Sequence, residues 1–152
     1  MRRRAGQKSQ PVISLVRCPA GLSRAVKSAA LFTLRRHQFK SGTLEIAFVG
    51  PKEMSRIHRD WMAKRSVTDV ITFDLREKRD RSVDGQVIVC PSVAKAEARR
   101  RGVAWQTELL LYVIHGCLHL CGYDDRRPAA ARRMSAEQER ILGRFAASKW
   151  PR

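Results

Sequence analysis

The alternation of apolar and polar residues predicts strands, and these lie mainly in the first half of the chain. Residues 11–17 (P-V-I-S-L-V-R) and 44–49 (L-E-I-A-F-V) alternate with a period of two, as strands with one buried face do. Residues 67–75 are rich in β-branched side chains, and a further strand starts at Gly85 and continues through the apolar run Q-V-I-V-C at residues 86–90. Residues 76–84 are charged and are predicted to form a loop between these two strands. Four strands are therefore expected.

Five other segments carry apolar residues at helical spacing. The predicted helices cover residues 22–38, 51–61, 93–101, 108–120 and 128–147. Ser41 and Gly42 are expected to interrupt the chain before the second strand, and Thr107 is the expected N-cap of the fourth helix. The pattern favours an α+β fold with one mixed β-sheet of about four strands and helices packed against it. Residues 1–10 are basic and are expected to be disordered, leaving residues 11–152 as a single domain.

The fourth helix carries the most informative pattern, I-H-G-C-L-H-L-C-G-Y-D-D at residues 114–125. His115 and His119 are four residues apart, which places them on one face of a helix with Cβ atoms about 5–6 Å apart. Gly122 provides a helix stop, and Asp125 follows in the next loop. The spacing H-x3-H-x5-D therefore predicts one metal ion held by His115, His119 and Asp125. Three protein ligands with a fourth position left for water are typical of a catalytic zinc site.

The ordinary alternative is that these histidines are core residues satisfied by hydrogen bonds. Two histidines at helical spacing, followed by a glycine stop and an acid, favour the metal site. Cys117 and Cys121 have the same spacing, but they lie about 200° around the helix from the histidines. They are predicted to be core thiols and not ligands.

The charge of the chain points to a polyanionic partner. It has 31 Lys and Arg against 14 Asp and Glu, a formal net charge of +17. A GC-rich genome would explain the choice of arginine over lysine but not the shortage of acids, so we expect nucleic acid as the partner. The four cysteines show no paired framework, no secretory signal is evident, and the longest apolar run is too short to span a membrane. We expect a soluble, cytoplasmic protein with no membrane partner and no nucleotide cofactor.

The motifs together resemble those of the YbeY family of rRNA-maturation endoribonucleases. Residues 115–125, H-G-C-L-H-L-C-G-Y-D-D, match the family pattern H-G-x-L-H-L-x-G-Y-D-H except at the last position. T-D-V-I-T-F at 68–73, G-Q-V-I-V at 85–89 and M-S-A-E-Q-E-R at 134–140 are similar to the family's T-D-V-L-S-F, G-D-I-x-I and M-x-x-x-E segments. The similarity extends over residues 44–142.

The resemblance implies a zinc-dependent, single-strand-specific endoribonuclease that acts in 16S rRNA 3′-end maturation and ribosome quality control. It also implies a zincin-like metal site on a buried helix, with one zinc per chain. The expected partners are single-stranded RNA, rRNA and the ribosome.

Three positions depart from the family pattern. Asp125 stands in place of the third histidine ligand, and Gln86 stands in place of an aspartate. The arginine that the family carries before T-D-V aligns with Met62, and Arg59 and Arg65 are candidates to replace it. A carboxylate is an acceptable zinc ligand, so the metal site is still expected.

Two other functions share the histidine spacing. A metalloprotease needs H-E-x-x-H, in which the glutamate is the general base, but Gly116 occupies that position. A non-catalytic ribosome-associated RNA-binding factor with a structural metal normally needs four protein ligands, and the remaining histidines, His37 and His58, are distant in sequence. Hydrolysis of RNA phosphodiesters by metal-activated water is therefore the favoured function. The sequence does not identify a general base.

Overall fold

The computed structural model describes residues 9–61 and 70–146, in which four strands form one mixed sheet. The strands are β1 (Val12–Val16), β2 (Ser41–Phe48), β3 (Val70–Asp74) and β4 (Ser82–Val89), in the spatial order β1-β2-β4-β3. β1, β2 and β4 are parallel, and β3 is antiparallel to β4. The predicted α+β class with a mixed four-stranded sheet is confirmed.

Five helices accompany the sheet within the described residues. They are α1 (Ser23–Arg36), α2 (Pro51–Trp61), α3 (Pro91–Arg101), α4 (Trp105–Leu120) and α5 (Pro128–Ala146). α4 contacts β3 and β4 on one side and α1, α3 and α5 on the others, which makes it the centre of the main core. A smaller apolar cluster, which includes Met54 of α2 and Ile88 of β4, is separate from this core. No helix in the described part of the chain is long and apolar enough to cross a bilayer.

α4 lies unusually close to the sheet at Gly116. A Cβ atom at this position would lie 2.6 Å from Cγ1 of Val87 and 3.2 Å from Oγ1 of Thr72. Residues 109–114, which precede Gly116 in the same helix, are all buried. The two histidines are displaced from the sheet-facing side of the helix, and their side chains are 26% and 29% exposed. The helix is therefore fixed against the sheet while its histidines reach the surface.

The predicted start of α4 is wrong by three residues. The helix begins at Trp105, and its N-cap is Ala104, without a side-chain cap. α3 is capped by Gly102, whose φ of 69° is in the left-handed region, so the connection between the two helices is very short. Glu108 is buried in the first turn of α4, where it accepts a hydrogen bond from Arg101 at 3.0 Å. Thr107 therefore lies inside the helix.

Two predicted loop segments belong to strands. Ser41 and Gly42 open β2, and residues 82–84, expected in the charged loop, open β4. The two segments pair with each other, Gly42 opposite Val83, so each is extended because its neighbour is. Gly42 has a φ of 100°, and a Cβ there would lie 1.9 Å from the carbonyl oxygen of Val83, which only glycine avoids. Residues 67–69 and 147 of the predicted elements lie outside the described residues.

Candidate metal centre

The side chains of His115, His119 and Asp125 converge on one point. The two Nε2 atoms are 3.1 Å apart, and Oδ2 of Asp125 lies 3.5 Å from that of His115 and 3.6 Å from that of His119. Tetrahedral zinc with bonds of about 2.0–2.1 Å separates its ligand atoms by about 3.3 Å. The three atoms therefore form a triangle of the size that one zinc ion requires. Within residues 9–61 and 70–146, this is the only cluster of His, Cys, Asp or Glu side chains of this kind.

The loop after α4 brings the carboxylate back to the histidines. Gly122 has a φ of 98°, and its N–H donates to the carbonyl of His119 at 3.0 Å. The N–H of Tyr123 donates to the carbonyl of Leu118 at 3.0 Å. This pair of bonds around a left-handed glycine is a Schellman motif, and it reverses the chain within one turn. The predicted role of Gly122 as a helix stop is confirmed.

Hydrogen bonds on the far side of each imidazole set the histidine tautomers. Nδ1–H of His115 donates to Oε1 of Gln138 at 2.8 Å, and Nδ1–H of His119 donates to the carbonyl of Tyr123 at 3.1 Å. Each Nε2 is left with its lone pair directed into the triangle, which is the arrangement that metal ligation needs. Burial, and then the neighbouring His115, lower the pKa of His119, which favours its neutral form.

Gln138 was missed by the sequence analysis. It lies four residues after Met134 on α5, on the same face of the helix as this buried methionine. The one sequence feature that could have indicated its role is that this polar residue lies within an apolar stripe of the helix. Its distance of 23 residues from His115 conceals the pairing in the sequence.

A charge cluster of Arg36, His37, Glu137 and Arg140 lies beside the loop. The buried carboxylate of Glu137 accepts hydrogen bonds from Nε of Arg36 at 2.5 Å and from Arg140 at 2.6 Å. Nε2 of His37 is 3.4 Å from the same carboxylate and 3.3 Å from the hydroxyl of Tyr123. The cluster thus joins α1 and α5 to the loop residue whose carbonyl orients His119. His37 is a neighbour of the metal triangle and does not belong to it.

Cys117 of α4 and Cys121, which caps this helix, are not part of the triangle. Cys117 is fully buried, and burial raises the pKa of its thiol well above the usual value. Burial also raises the pKa of Cys121 to about 12. Both side chains remain thiols at neutral pH, and thiolates are the form that binds metals.

Comparison with known proteins decides the family. A family sequence profile described as "Endoribonuclease YbeY" matches residues 13–146. The chain belongs to the YbeY endoribonuclease family. The resemblance inferred from the motifs is thereby confirmed.

Curated YbeY relatives and a solved structure agree with this assignment. An "Endoribonuclease YbeY" of Acidothermus cellulolyticus is 37% identical over 118 residues, 70% of this chain and 72% of the relative. One from Chlorobaculum tepidum is 39% identical over 104 residues, 68% of this chain and 74% of the relative. A solution structure of a Thermotoga maritima protein superposes with a TM-score of 0.65 at 25% identity, covering 88% of this chain and 89% of the other. The fold is therefore shared across distant relatives.

Two departures from the YbeY pattern, at Gln86 and at the family arginine before T-D-V, fall on residues that are not among the three of the triangle. Gln86 of β4 donates to Oε1 of Glu45 in β2 at 2.6 Å, and it lines a groove with Trp61 of α2. Its neighbour Val87 faces α4, so Gln86 projects from the opposite face of the sheet and away from the histidine helix. Arg59 is exposed on α2, whereas Met62 and Arg65 lie outside the described residues.

The charge cluster predicts a specific pH dependence of stability. The hydrogen bond from Arg36 is the main cause that holds the pKa of Glu137 below its usual value of 4.5. The ionised carboxylate therefore stabilises the fold above this value, and the contribution is lost as the pH falls through the lower, folded-state pKa. We expect Glu137→Gln to lower the free energy of unfolding at pH 7 by about 1–3 kcal/mol.

Urea denaturation at a series of pH values measures this difference. The stabilities of the parent and of Glu137→Gln should converge as the pH falls below 4.5. Glu139→Gln is the matched control, because Glu139 is exposed on the same helix and its side chain has no hydrogen-bond or ion-pair partner among the described residues. A constant difference between parent and Glu137→Gln down to acid pH would show that packing, not charge, is responsible.

Proposed function

We propose that this protein is a zinc-dependent, single-strand-specific endoribonuclease. The observation that supports the proposal most directly is the triangle formed by Nε2 of His115, Nε2 of His119 and Oδ2 of Asp125. Two imidazoles and one carboxylate form a donor set that suits catalytic zinc. A bound zinc would polarise a phosphoryl oxygen and lower the pKa of its water towards 7.

The residues around the triangle would hold these ligands and admit a large substrate. Gln138 and the carbonyl of Tyr123 keep Nδ1 of the two histidines protonated, so that both Nε2 atoms are free to bind the ion. The side chain of Asp125 is 45% exposed, so this side of the triangle faces solvent. An open site of this kind suits a polymer, which cannot enter a closed cavity.

Arginines next to the triangle would bind the RNA backbone. Arg126 and Arg127 are exposed and directly follow Asp125. Arg127 has no acidic partner among the described residues, and the side chain of Arg126 is 4.0 Å from Asp124. Guanidinium contacts to phosphate would position the strand without reading its sequence. Arg2 to Arg4, outside the described residues, would add affinity by long-range attraction.

Family membership supports a place for this activity in ribosome biogenesis. We propose 16S rRNA 3′-end maturation and ribosome quality control, with rRNA and the ribosome as partners and the cytoplasm as the location. A purely structural metal is disfavoured, because no fourth His, Cys, Asp or Glu of the described residues joins the triangle. A peptidase is disfavoured because Gly116 lacks the carboxylate that would act as its general base.

Chelation is expected to separate cleavage from binding. Removing the metal should abolish cleavage of single-stranded RNA and leave most of the affinity, since affinity comes from arginine contacts to phosphate. Binding should weaken with salt by a log–log slope of about −0.7 per contact, because each contact releases a counterion. Replacing Arg126 and Arg127 with serine should make that slope shallower by the equivalent of about one or two phosphate contacts. The variant should still bind zinc.

Cleavage assays and fluorescence anisotropy with the same labelled RNA provide both readouts. The substrates should include an rRNA 3′ precursor. Zinc-loaded protein that binds every single-stranded substrate tightly and cuts none would favour the binding factor with a structural metal.

The role of Asp125 is tested by three substitutions. Asp125→His is expected to retain zinc, because it restores a third imidazole, and Asp125→Ala is expected to weaken zinc binding by more than about 100-fold, because losing a ligand costs more than losing a ligand's hydrogen-bond partner. Asp124→Ala is the adjacent control, since Oδ1 of Asp124 accepts from the backbone N–H of Arg126 at 3.1 Å and supports the loop. Competition with a chromophoric chelator measures the affinities. Loss of zinc from Asp124→Ala with retention by Asp125→Ala would assign the ligand to Asp124.

A further inference from the structure

We propose that a groove between α1 and α5 binds a segment of single-stranded RNA away from the phosphodiester that is cut. The inference rests on the proposed function and extends the RNA contact beyond the metal triangle. The groove has a volume of about 850 Å³. The residues that line this α1–α5 groove are Ser28, Leu31, Phe32, Arg35, Arg36, Arg144 and Phe145.

Flat groups in the groove suit the faces of nucleobases. The rings of Phe32 and Phe145 meet edge to face, with centroids 5.5 Å apart and an interplanar angle of 69°. The guanidinium of Arg144 lies over the ring of Phe32, 4.6 Å from its centroid. Both rings are half-buried, whereas Arg144 is exposed. Unpaired bases stack on aromatic rings and on guanidinium planes, which is how proteins bind single strands without reading their sequence.

Two of the three arginines in the groove are available to phosphate. Arg36 is bound to the carboxylate of Glu137, which offsets its charge. Arg35 and Arg144 are exposed and have no carboxylate partner among the described residues. An acidic peptide would pair with these arginines but would not need the adjacent rings. Stacking surfaces and free cations together match an RNA strand, which offers both bases and phosphates.

A strand that runs from the metal triangle along α5 would reach the groove. Gln138, which accepts the hydrogen bond of His115, and Phe145 are seven residues apart on this helix. Residues seven apart lie on the same face, about 10 Å from each other along the helix axis. An extended RNA strand positioned at the triangle can therefore continue into the groove within a few nucleotides.

The test compares long and short RNA with matched variants. Arg35→Ser/Arg144→Ser should raise KM for a single strand of about 25 nucleotides roughly tenfold and reduce the salt slope by about 1.4, two contacts of 0.7. kcat on both substrates, KM for an oligonucleotide of about four nucleotides, zinc content and Tm should stay unchanged. Lys52→Ser/Arg56→Ser, which removes two exposed cations from α2, is the control and should change KM by less than about twofold.

Phe32→Leu separates stacking from charge, because leucine retains the apolar contact and loses the ring face. It should weaken binding of the long strand several-fold and leave the salt slope unchanged. Equal losses on long and short RNA, or no loss on either, would overturn the proposal. Displacement of long RNA by a polyglutamate peptide that depends on Arg35 and Arg144 but not on Phe32 would overturn it in favour of an acidic protein partner.

Binding to a phosphorothioate strand that resists hydrolysis keeps the two proposals apart. If the protein cuts no RNA but Arg35→Ser/Arg144→Ser still weakens this binding, the endoribonuclease proposal fails and the groove proposal stands. If the protein cuts RNA and the double variant binds as the parent does, the groove proposal fails and the endoribonuclease proposal stands.

Discussion

His119→Ala is expected to yield protein that contains almost no zinc and does not cleave RNA. The substitution removes one corner of the triangle and leaves His115 and Asp125 as an incomplete pair. Losing a hydrogen-bond partner of a ligand lowers metal affinity or activity about 10–100-fold, so losing the ligand should exceed 100-fold. Thermal stability should fall as well, because the free energy of metal binding contributes to the folded state. Metal analysis of the purified protein and a calorimetric scan measure both effects.

His58→Ala is the control that separates loss of a ligand from loss of stability. His58 is buried in α2 and lies outside the triangle, so the variant should be less stable and should still bind one zinc per chain. Equal zinc content in His119→Ala and the parent would place the ion elsewhere. Loss of zinc from both variants would show that metal binding depends on the whole fold and not on this ligand.

Gly116→Ala is expected to lower the free energy of unfolding by about 1–3 kcal/mol, the usual range for overpacking a core. The added Cβ would lie 2.6 Å from Cγ1 of Val87, a fully buried and stiff side chain, so α4 must move away from β4. The movement would displace the adjacent His115, and zinc affinity should fall together with stability. Urea denaturation and zinc titration provide the two measurements.

A glycine on another helix provides the control. Gly143 lies within α5, and a Cβ there would meet no atom within 4 Å beyond its chain neighbours and the backbone of its own helix, so Gly143→Ala should be neutral or stabilising by up to about 1 kcal/mol. Val87→Ala should recover part of the loss when it is combined with Gly116→Ala, which a double-mutant cycle quantifies. Unchanged stability in Gly116→Ala alone would show that the helix and the sheet have room to separate.

The triangle could be predicted from the sequence because all three residues lie within 11 positions of one another. Helical spacing places His115 and His119 together, and Gly122 returns the chain to bring in Asp125. Gln138 and Glu137 were not found because the contacts that give them a role are set by the packing of α5 against α4 and α1. No local pattern reports such a contact.

In the sheet, too, the local sequence pattern predicted the strands but not the bounds that depend on contacts with distant residues. Alternation, β-branched content and an apolar run identified all four strands, yet the most strongly β-branched stretch contributes β3, which pairs only with β4 in the described residues. The first residues of β2 and β4 were predicted as loop because their extended conformation depends on the pairing of Gly42 with Val83. The start of α4 was misplaced because Thr107 suits an N-cap by residue type, while the short connection from Gly102 starts the helix earlier.

The close approach of α4 to the sheet also restricts how this protein could change its chemistry during evolution. A peptidase of the H-E-x-x-H type needs a glutamate directly after the first histidine, which here is position 116. A single substitution, Gly116→Glu, would supply this glutamate, but its Cβ would clash with the side chains of Val87 and Thr72. A lineage would first have to enlarge the space between helix and sheet. A single substitution at position 116 is therefore not expected to convert this pair of histidines into a peptidase site.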